Sequence, residues 1–252
     1  MLVAERHEKI TSLVNEKGSI RVSELSQIFK VTEETIRRDL EKLENEGKLQ
    51  RSHGGAVSIK ENEIESPYFE REIRNVKEKM AVADEAVKYV AINDRIILDA
   101  STTAWYMAKR LPDIPLTVLT NSMKVAMELA NREKVTVITV GGTMLQKSLS
   151  FVGPQTNNAL EYYHVNKAFI SCQGIHAERG ISDSNEMQAL VKKKMVEISD
   201  NIYLLADYSK FGVQAFSRIA SIQTINYIIT DSKTKQEQIQ AFQDLPIKVI
   251  RS

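Results

Sequence analysis

Two short segments near the start of the chain carry apolar residues at every third or fourth position, and a strand-like alternation follows them. The apolar residues are Leu25, Ile28 and Phe29 in the first segment and Ile36, Leu40 and Leu43 in the second. This spacing places each set on one face of a helix. The pattern therefore predicts two consecutive amphipathic helices.

Residues at the ends of these segments indicate where the helices begin and end. Ser23 and Thr32 are favourable N-cap residues, and the turn at Val31 is short enough to join two helices that cross steeply. Gly47 is expected to end the second helix. Residues 3–15 predict a supporting helix, because their apolar positions also lie on one side.

A hairpin is predicted after the second helix. Residues 48–51 alternate as a strand, and Gly54 and Gly55 turn the chain back into residues 56–59. Helix, turn, helix and hairpin in this order predict a winged helix-turn-helix, with the second helix in a DNA groove. The candidate DNA-binding residues are Ser23, Thr32, Glu34, Thr35, Arg37, Arg38, Arg51 and His53.

The charge of this region does not by itself indicate DNA binding. Residues 1–60 contain 11 Lys and Arg against 10 Asp and Glu, so affinity must come from local placement of cations and from two copies of the chain. The alternative is a helical module that packs on another protein, with Arg37 and Arg38 in surface ion pairs with neighbouring glutamates.

A change of composition separates this region from the rest of the chain. The segment KENEIESP, residues 60–67, is polar, charged and closed by proline. We predict a DNA-binding domain at residues 1–60, a linker at 61–75 and a second domain at 76–252. Apolar residues from Tyr68 to Val90 recur at roughly helical spacing, which predicts one or two helices that connect the halves.

Short apolar runs alternate with helical segments in the second domain, which is typical of a mostly parallel sheet covered on both faces. The predicted strands are 95–100, 116–121, 135–142, 167–173, 202–207, 227–230 and 247–250. The predicted helices lie near 103–111, 123–131, 154–163, 185–199 and 234–242. The predicted fold class is α/β, preceded by the winged helix-turn-helix.

Polar groups follow four of the predicted strands. They therefore gather at the edge formed by the carboxyl ends of the strands, where α/β sheets bind ligands. The turn from Asp99 to Thr103 presents hydroxyls and backbone N–H groups at a helix start, which suits a phosphate, and Lys210 offers a cation. Glu186, which opens another helix, is a candidate for binding sugar hydroxyls. Each feature alone also has an ordinary structural explanation as an N-cap, a turn or a surface lysine.

Composition limits the class of protein. The balance of 34 basic and 33 acidic residues argues against a membrane-surface protein, and the single cysteine, Cys172, cannot form an internal disulfide. We expect a cytoplasmic protein without a metal, a cofactor or a membrane partner. Lys192–Lys194 are expected on a solvated helix face, with the alternative that one of the three reaches the rim of the pocket, and Trp105 is expected to pack in the core.

The chain resembles the DeoR family of bacterial sugar-operon regulators nearly from end to end. The resemblance rests on VSELSQIFKVTEETIRRDLEKLENEGKLQRSHGGA in the first region and on LDASTT, LTNS, GGT, SLSFVGP, ADYSKFG and AFSRIA in the second. It implies a second domain that resembles ribose-phosphate isomerase and senses a phosphorylated sugar. The candidate effector-binding residues, with Gln173 included, are Asp99, Ser101, Thr102, Thr103, Asn121, Gly142, Gln173, Glu186 and Lys210.

Two positions depart from the family pattern. The family usually has glycine where this chain has Ala100, and an alanine held at a positive φ there costs about 1 kcal/mol. The family usually has an Asp-Gly pair where this chain has Gln173–Gly174. Loss of that carboxylate disfavours isomerase chemistry and indicates a different sugar.

These observations predict a repressor of a carbohydrate catabolic operon that a phosphorylated sugar releases from double-stranded operator DNA. Because helix-turn-helix proteins bind paired half-sites, we expect a homodimer or homotetramer. One rival is a sugar-phosphate isomerase with an appended DNA-binding module, which predicts turnover. Another is an interaction scaffold, which predicts no salt-sensitive DNA binding.

Overall fold

The computed structural model describes residues 3–17, 19–52, 54–57 and 66–252, without the side chains of residues 16, 17, 19 and 52. The chain divides into two compact units, Met1–Glu65 and Ser66–Ser252. Within the described ranges, no helix combines the length and the hydrophobicity needed to cross a membrane.

The first unit packs helices against a small antiparallel sheet. Its described elements are α1 (Val3–Lys17), β1 (Ser19–Arg21), α2 (Val22–Phe29), α3 (Glu33–Asn45), β2 (Gln50–Ser52) and β3 (Gly55–Val57). The strand order is β1-β3-β2. Ile36, Leu40 and Leu43 are buried together with Leu25, so the predicted apolar stripe of the second helix is confirmed.

Helix α2 begins earlier than the sequence predicts. Its N-cap is Arg21, which makes no side-chain capping bond, and Ser23 lies inside the helix, so the prediction that Ser23 is the cap is wrong. Strand β1, which the sequence analysis missed, pairs with β3 and brings the helix start to Val22. As a result Val22 is buried, whereas Ile28, predicted on the apolar face, is 45% exposed.

Gly47 ends helix α3, as predicted. It has a φ of 67°, in the left-handed region that favours glycine. The N–H of Lys48 donates to the carbonyl of Leu43, and the N–H of Gly47 donates to that of Glu44, each at 2.9 Å. This pair of bonds satisfies carbonyls that the helix end leaves without intrahelical partners.

The second unit is built on a seven-stranded parallel sheet with strand order β15-β14-β12-β9-β4-β5-β6. These strands are β4 (Arg95–Leu98), β5 (Leu116–Thr120), β6 (Val135–Thr139), β9 (Val165–Ile170), β12 (Ser199–Leu205), β14 (Tyr227–Thr230) and β15 (Lys248–Arg251). The helices are α4 (Tyr68–Ile73), α5 (Val76–Val87), α6 (Thr102–Arg110), α7 (Met123–Leu129), α8 (Pro154–Glu161), α9 (Glu186–Glu197) and α10 (Gln236–Gln240). All seven predicted strands belong to this sheet, which confirms the predicted fold class.

Two small antiparallel sheets were not predicted. One is the hairpin of β7 (Thr143–Leu145) and β8 (Ser150–Val152), and the other joins β10 (Gly174–His176), β11 (Gly180–Asp183) and β13 (Ser217–Ala220). Their strands have three or four residues, too few to show a clear alternation in the sequence.

Each face of the parallel sheet carries its own apolar layer. Along β4, Ile97 packs in one cluster, whereas Ile96 and Leu98 pack in the other. This alternation follows from the two-residue repeat of a strand. Because apolar clusters cover both faces of the sheet, polar groups that bind a ligand are expected at the ends of the strands.

The second unit begins before the predicted boundary. Residues 61–65 lie outside the described part of the chain, whereas residues 68–73, predicted to be helical but placed in the linker, form helix α4. Tyr68 in that helix is 1% exposed, and its backbone N–H donates to the carbonyl of Lys147 at 2.6 Å. Residues 66–75 are therefore part of the second unit and not a linker.

Candidate functional site

Helix α3 presents an exposed polar face at its N-terminal half. Thr32 is its N-cap and accepts a hydrogen bond from the backbone N–H of Thr35 at 3.3 Å, as predicted. The side chains of Arg37 and Arg38 are 55% and 78% exposed. These positions suit contact with phosphates and base edges, as a recognition helix requires.

The two arginines are paired with acids on their own helix. Arg37 Nη2 lies 3.1 Å from Glu33 Oε2, and Arg38 Nε lies 3.6 Å from Glu34 Oε1. Exposed pairs of this kind contribute about 0–1 kcal/mol. Each guanidinium can therefore exchange a carboxylate for a DNA phosphate at little cost.

The wing, which is the hairpin of β2 and β3, is joined to helix α3 by a hydrogen bond. The backbone N–H of Arg51 donates to Glu44 Oε1 at 2.7 Å, and the Arg51 side chain is exposed. Ser23 is exposed on α2. His53 lies outside the described residues, so its predicted role is unchanged. The DNA contacts of this surface remain predictions.

Asp39 is a buried acid on helix α3 that the sequence analysis missed. Arg6 donates to both carboxylate oxygens, at 2.6 and 3.0 Å, and His7 Nε2 lies 2.9 Å from Oδ1. Burial alone would raise the pKa of Asp39, but the bonds from Arg6 and His7 outweigh burial and lower it. Position 39 lies three residues after Ile36, on the apolar stripe, and that signal could have identified it.

We expect Asp39→Asn to destabilise the first unit by about 3 kcal/mol, because it leaves the Arg6 guanidinium buried without a counter-charge. Hydrogen exchange of the α3 amides in the full chain measures this loss. Since the folded-state pKa is depressed, the difference from wild type should be full above about pH 4 and shrink below it. The exposed Glu41 on the same helix provides the control, Glu41→Gln, which should change stability by less than about 0.5 kcal/mol. Equal protection of the α3 amides from hydrogen exchange in Asp39→Asn and Glu41→Gln would contradict a stabilising pair of Asp39 with Arg6.

In the second unit, the turn after β4 is organised by Asp99. Asp99 is fully buried; its Oδ1 accepts from the Ser101 N–H at 3.1 Å, and its Oδ2 accepts from the Ser171 N–H at 2.9 Å. Ser101 caps α6 by accepting from the Ala104 N–H at 3.0 Å. The first-turn N–H groups of Thr102 and Thr103 have no intrahelical acceptor, so the helix start can bind an anion.

Lys192 is buried beneath this turn, so the prediction that it lies on a solvated face is wrong. Its Nζ donates to the Ser171 carbonyl at 2.8 Å, and it lies 2.7 Å from Asp183 Oδ2 and 3.3 Å from Asp99 Oδ2. Burial alone would lower the pKa of Lys192, but the charges of Asp183 and Asp99 outweigh burial and raise it. The Lys192 ammonium thus donates to one carbonyl and one carboxylate and forms an ion pair with a second carboxylate.

Lys210 lies at the same edge of the sheet, in the short helical turn Tyr208–Lys210 that follows β12. Its Nζ lies 3.4 Å from Gln173 Oε1, so the structure brings these two predicted residues together. Cys172 lies next to them: burial raises its pKa to about 12, against the opposing effect of the positive charges of Lys210 and Lys192. Lys210 is half-buried, and it lies at the carboxyl ends of the strands, as the turn of Asp99 does.

The remaining predicted residues differ in their surroundings. Asn121, after β5, is fully buried, and its Nδ2 donates to the Phe151 carbonyl at 2.9 Å. Gly142 has a φ of 140°, and a Cβ there would lie 2.1 Å from Thr156 Oγ1. Glu186 is exposed at the first position of α9. Ala100 is absent from the described residues with positive φ, so it replaces the expected glycine without that strain.

No group of three or more His, Cys, Asp or Glu side chains in the described part of the chain is placed to hold a metal ion. The polar groups at the strand ends include amides, hydroxyls, backbone N–H groups and the half-buried ammonium of Lys210, together with carboxylates such as Asp99 that are bonded within the protein. Such a set is suited to an organic anion that carries hydroxyl groups.

Comparison with known proteins identifies both units. Residues 6–62 match the family model of the DeoR-like helix-turn-helix domain, and residues 74–232 match that of the DeoR C-terminal sensor domain. The chain is 62% identical to the HTH-type transcriptional regulator YulB of Bacillus subtilis, over 99% of this chain and 96% of the relative. It is 42% identical to the L-fucose operon activator of Haemophilus influenzae, over 90% and 91% of the two chains. Among solved structures, ribose 5-phosphate isomerase A of Methanocaldococcus jannaschii covers 52% of each chain at 19% identity, with a TM-score of 0.40. The protein belongs to the DeoR family of DNA-binding transcriptional regulators.

Proposed function

We propose that this protein represses a carbohydrate catabolic operon and leaves its operator when a phosphorylated sugar binds the second unit. It acts in the cytoplasm and, because helix-turn-helix proteins read paired half-sites, as at least a dimer. The relative that is named as an operon activator for L-fucose supports a carbohydrate as the signal.

The observation that carries the proposal is the anion-binding edge formed by Lys210 and the start of α6. Lys210 lies beside Gln173, and α6 begins at the turn that Asp99 holds. A phosphate gains both a charge-assisted bond from the ammonium and bonds from the helix N-terminus. A sugar without a phosphate group carries no anion and would not gain these charge-assisted bonds.

The internal pairing of Asp99 also bears on the isomerase alternative. Proton transfer between sugar carbons requires a base that can reach the substrate. Asp99 and Asp183 both lie against Lys192, and Gln173 stands where the family usually has an acid. This arrangement favours recognition of a sugar phosphate over its conversion.

For release from DNA, the effector must bind the DNA-free state more tightly than the DNA-bound state, since equal affinity shifts no equilibrium. A coupling free energy of about 1–3 kcal/mol is ordinary for such regulators. We therefore expect sugar phosphate to lower operator affinity about 5- to 150-fold.

Arg38→Ala tests the DNA-binding face. We expect it to weaken binding to the DNA upstream of the chain's own gene by about 1–3 kcal/mol, because an exposed guanidinium on α3 is lost. Footprinting across a salt series measures the effect. Arg251→Ala, on the edge strand β15, is the matched control and should bind as wild type. Wild-type footprints in both variants would mean that another face of the protein contacts DNA.

A further inference from the structure

Three buried side chains of the second unit each carry a polar atom that has no hydrogen-bond partner among the described residues. They are the hydroxyl of Tyr68, Oδ1 of Asn121 and Oε1 of Gln188. Buried polar atoms are nearly always paired in folded proteins, so unpaired ones indicate a missing ligand, water or ion. Tyr68 and Gln188 were not among the residues predicted from the sequence.

All three residues form hydrogen bonds with the hairpin of β7 and β8. Tyr68 donates its backbone N–H to the Lys147 carbonyl at 2.6 Å, between β7 and β8. Asn121 Nδ2 donates to the Phe151 carbonyl at 2.9 Å. Gln188 Nε2 lies 2.8 Å from the hydroxyl of Ser148 and 2.6 Å from that of Ser150. Helix α4, the end of β5 and the first turn of α9 therefore meet around residues 147–151.

This hairpin lies close to the anion-binding edge. Asn121 directly follows β5, the neighbour of β4 in the sheet, and Asp99 directly follows β4. Burial raises the pKa of Tyr68, and the negative charges of Glu72 and Asp99 raise it further. The Tyr68 hydroxyl therefore stays protonated at neutral pH.

The unpaired atoms define the chemistry of a ligand. The Asn121 amide orientation follows from the bond of its Nδ2 to a carbonyl oxygen, so its Oδ1 can only accept a hydrogen bond. Gln188 Oε1 also accepts, and a neutral phenol can donate or accept. The complementary ligand groups are hydroxyls, each of which both donates and accepts.

We propose that Tyr68, Asn121 and Gln188 form a hydroxyl-recognising subsite that binds the polyhydroxyl chain of the effector. The subsite rests on the proposed function, in which Lys210 and the start of α6 bind the phosphate of the same molecule. Tyr68 is a specificity-determining residue, and it comes from a segment that the sequence pattern assigned to a linker.

Tyr68→Phe tests this proposal first in the ligand-free protein, because it removes an unpaired hydroxyl and keeps the ring. We expect its melting temperature, measured by calorimetry on the full chain, to equal or exceed that of wild type. Tyr106→Phe is the matched control, since the Tyr106 hydroxyl donates to the Glu72 carbonyl at 3.1 Å. The control should melt about 2–4 °C lower. An equal loss in Tyr68→Phe would show an internal partner for its hydroxyl and overturn the proposal.

Binding gives the second measurement. Titration calorimetry with fructose 6-phosphate, ribose 5-phosphate, glycerol 3-phosphate and inorganic phosphate should show Tyr68→Phe binding the tightest sugar phosphate about fivefold more weakly. Its affinity for inorganic phosphate should equal that of wild type, and Tyr106→Phe should bind all four as wild type does. Unchanged sugar phosphate affinity in Tyr68→Phe would overturn the subsite and leave the proposed function intact. A wild-type protein that binds none of the four would remove the proposed function, and the subsite with it.

Discussion

Replacing Lys192 with methionine is expected to destabilise the second unit by about 3–5 kcal/mol, because two buried carboxylates lose their shared cation. Asp99 and Asp183 lie 3.3 and 2.7 Å from the Lys192 ammonium. The single tryptophan, Trp105, is buried in the same unit, so urea unfolding followed by its fluorescence measures this loss directly.

The neighbouring Lys193 is exposed, which makes Lys193→Met a control with the same change of side chain. It should alter stability by less than about 0.5 kcal/mol. A Lys192→Met protein as stable as the control would show that Asp99 and Asp183 do not depend on this cation.

Lys210→Ala should give a protein that binds its operator as wild type does but no longer leaves it when sugar phosphate is added. Lys210 is the half-buried cation at the strand ends, 3.4 Å from Gln173, and its loss removes a charge-assisted bond to the phosphate. Such bonds contribute about 1.5–3 kcal/mol, so effector affinity should fall about 10- to 150-fold. A release assay on labelled operator DNA, with fructose 6-phosphate or ribose 5-phosphate as the added compound, measures it.

Lys248 supplies the control, because it is the first residue of β15. It therefore lies at the amino ends of the parallel strands, whereas Lys210 lies at their carboxyl ends. Lys248→Ala should be released at the same sugar phosphate concentration as wild type. If Lys210→Ala is released at that concentration too, Lys210 does not bind the phosphate, and the start of α6 alone holds the anion.

Most of the fold could be predicted from local patterns. Strand β4, for example, contains the continuous apolar run Ile96–Leu98, and both faces of the sheet are buried, so such a run is visible without its neighbours. Gly47 and Thr32 marked the ends of α3 for local reasons, a positive φ and a side-chain cap. The start of α2 could not be predicted in this way, because it depends on the pairing of β1 with β3.

The candidate site was predicted less completely. The turn of Asp99 directly follows β4, and Lys210 lies in the turn after β12, so their shared location at the carboxyl ends of the strands could be inferred from the sequence. The pairing of Lys192 with Asp99 spans 93 positions in the chain and leaves no local signal. The run of three consecutive lysines, Lys192–Lys194, also made a solvated helix face the simpler interpretation.

The sequence by itself determined the family, the order of helices and strands, the parallel sheet and the edge at which polar groups gather. These depend on hydrophobic periodicity and on short motifs, which are local properties. The tertiary structure alone decided which charges are buried and paired, as for Asp39 with Arg6 and Lys192 with Asp99. It also decided that Tyr68 lies against the hairpin and not in a linker. Burial and pairing of charges depend on residues distant in sequence, and only packing brings these together.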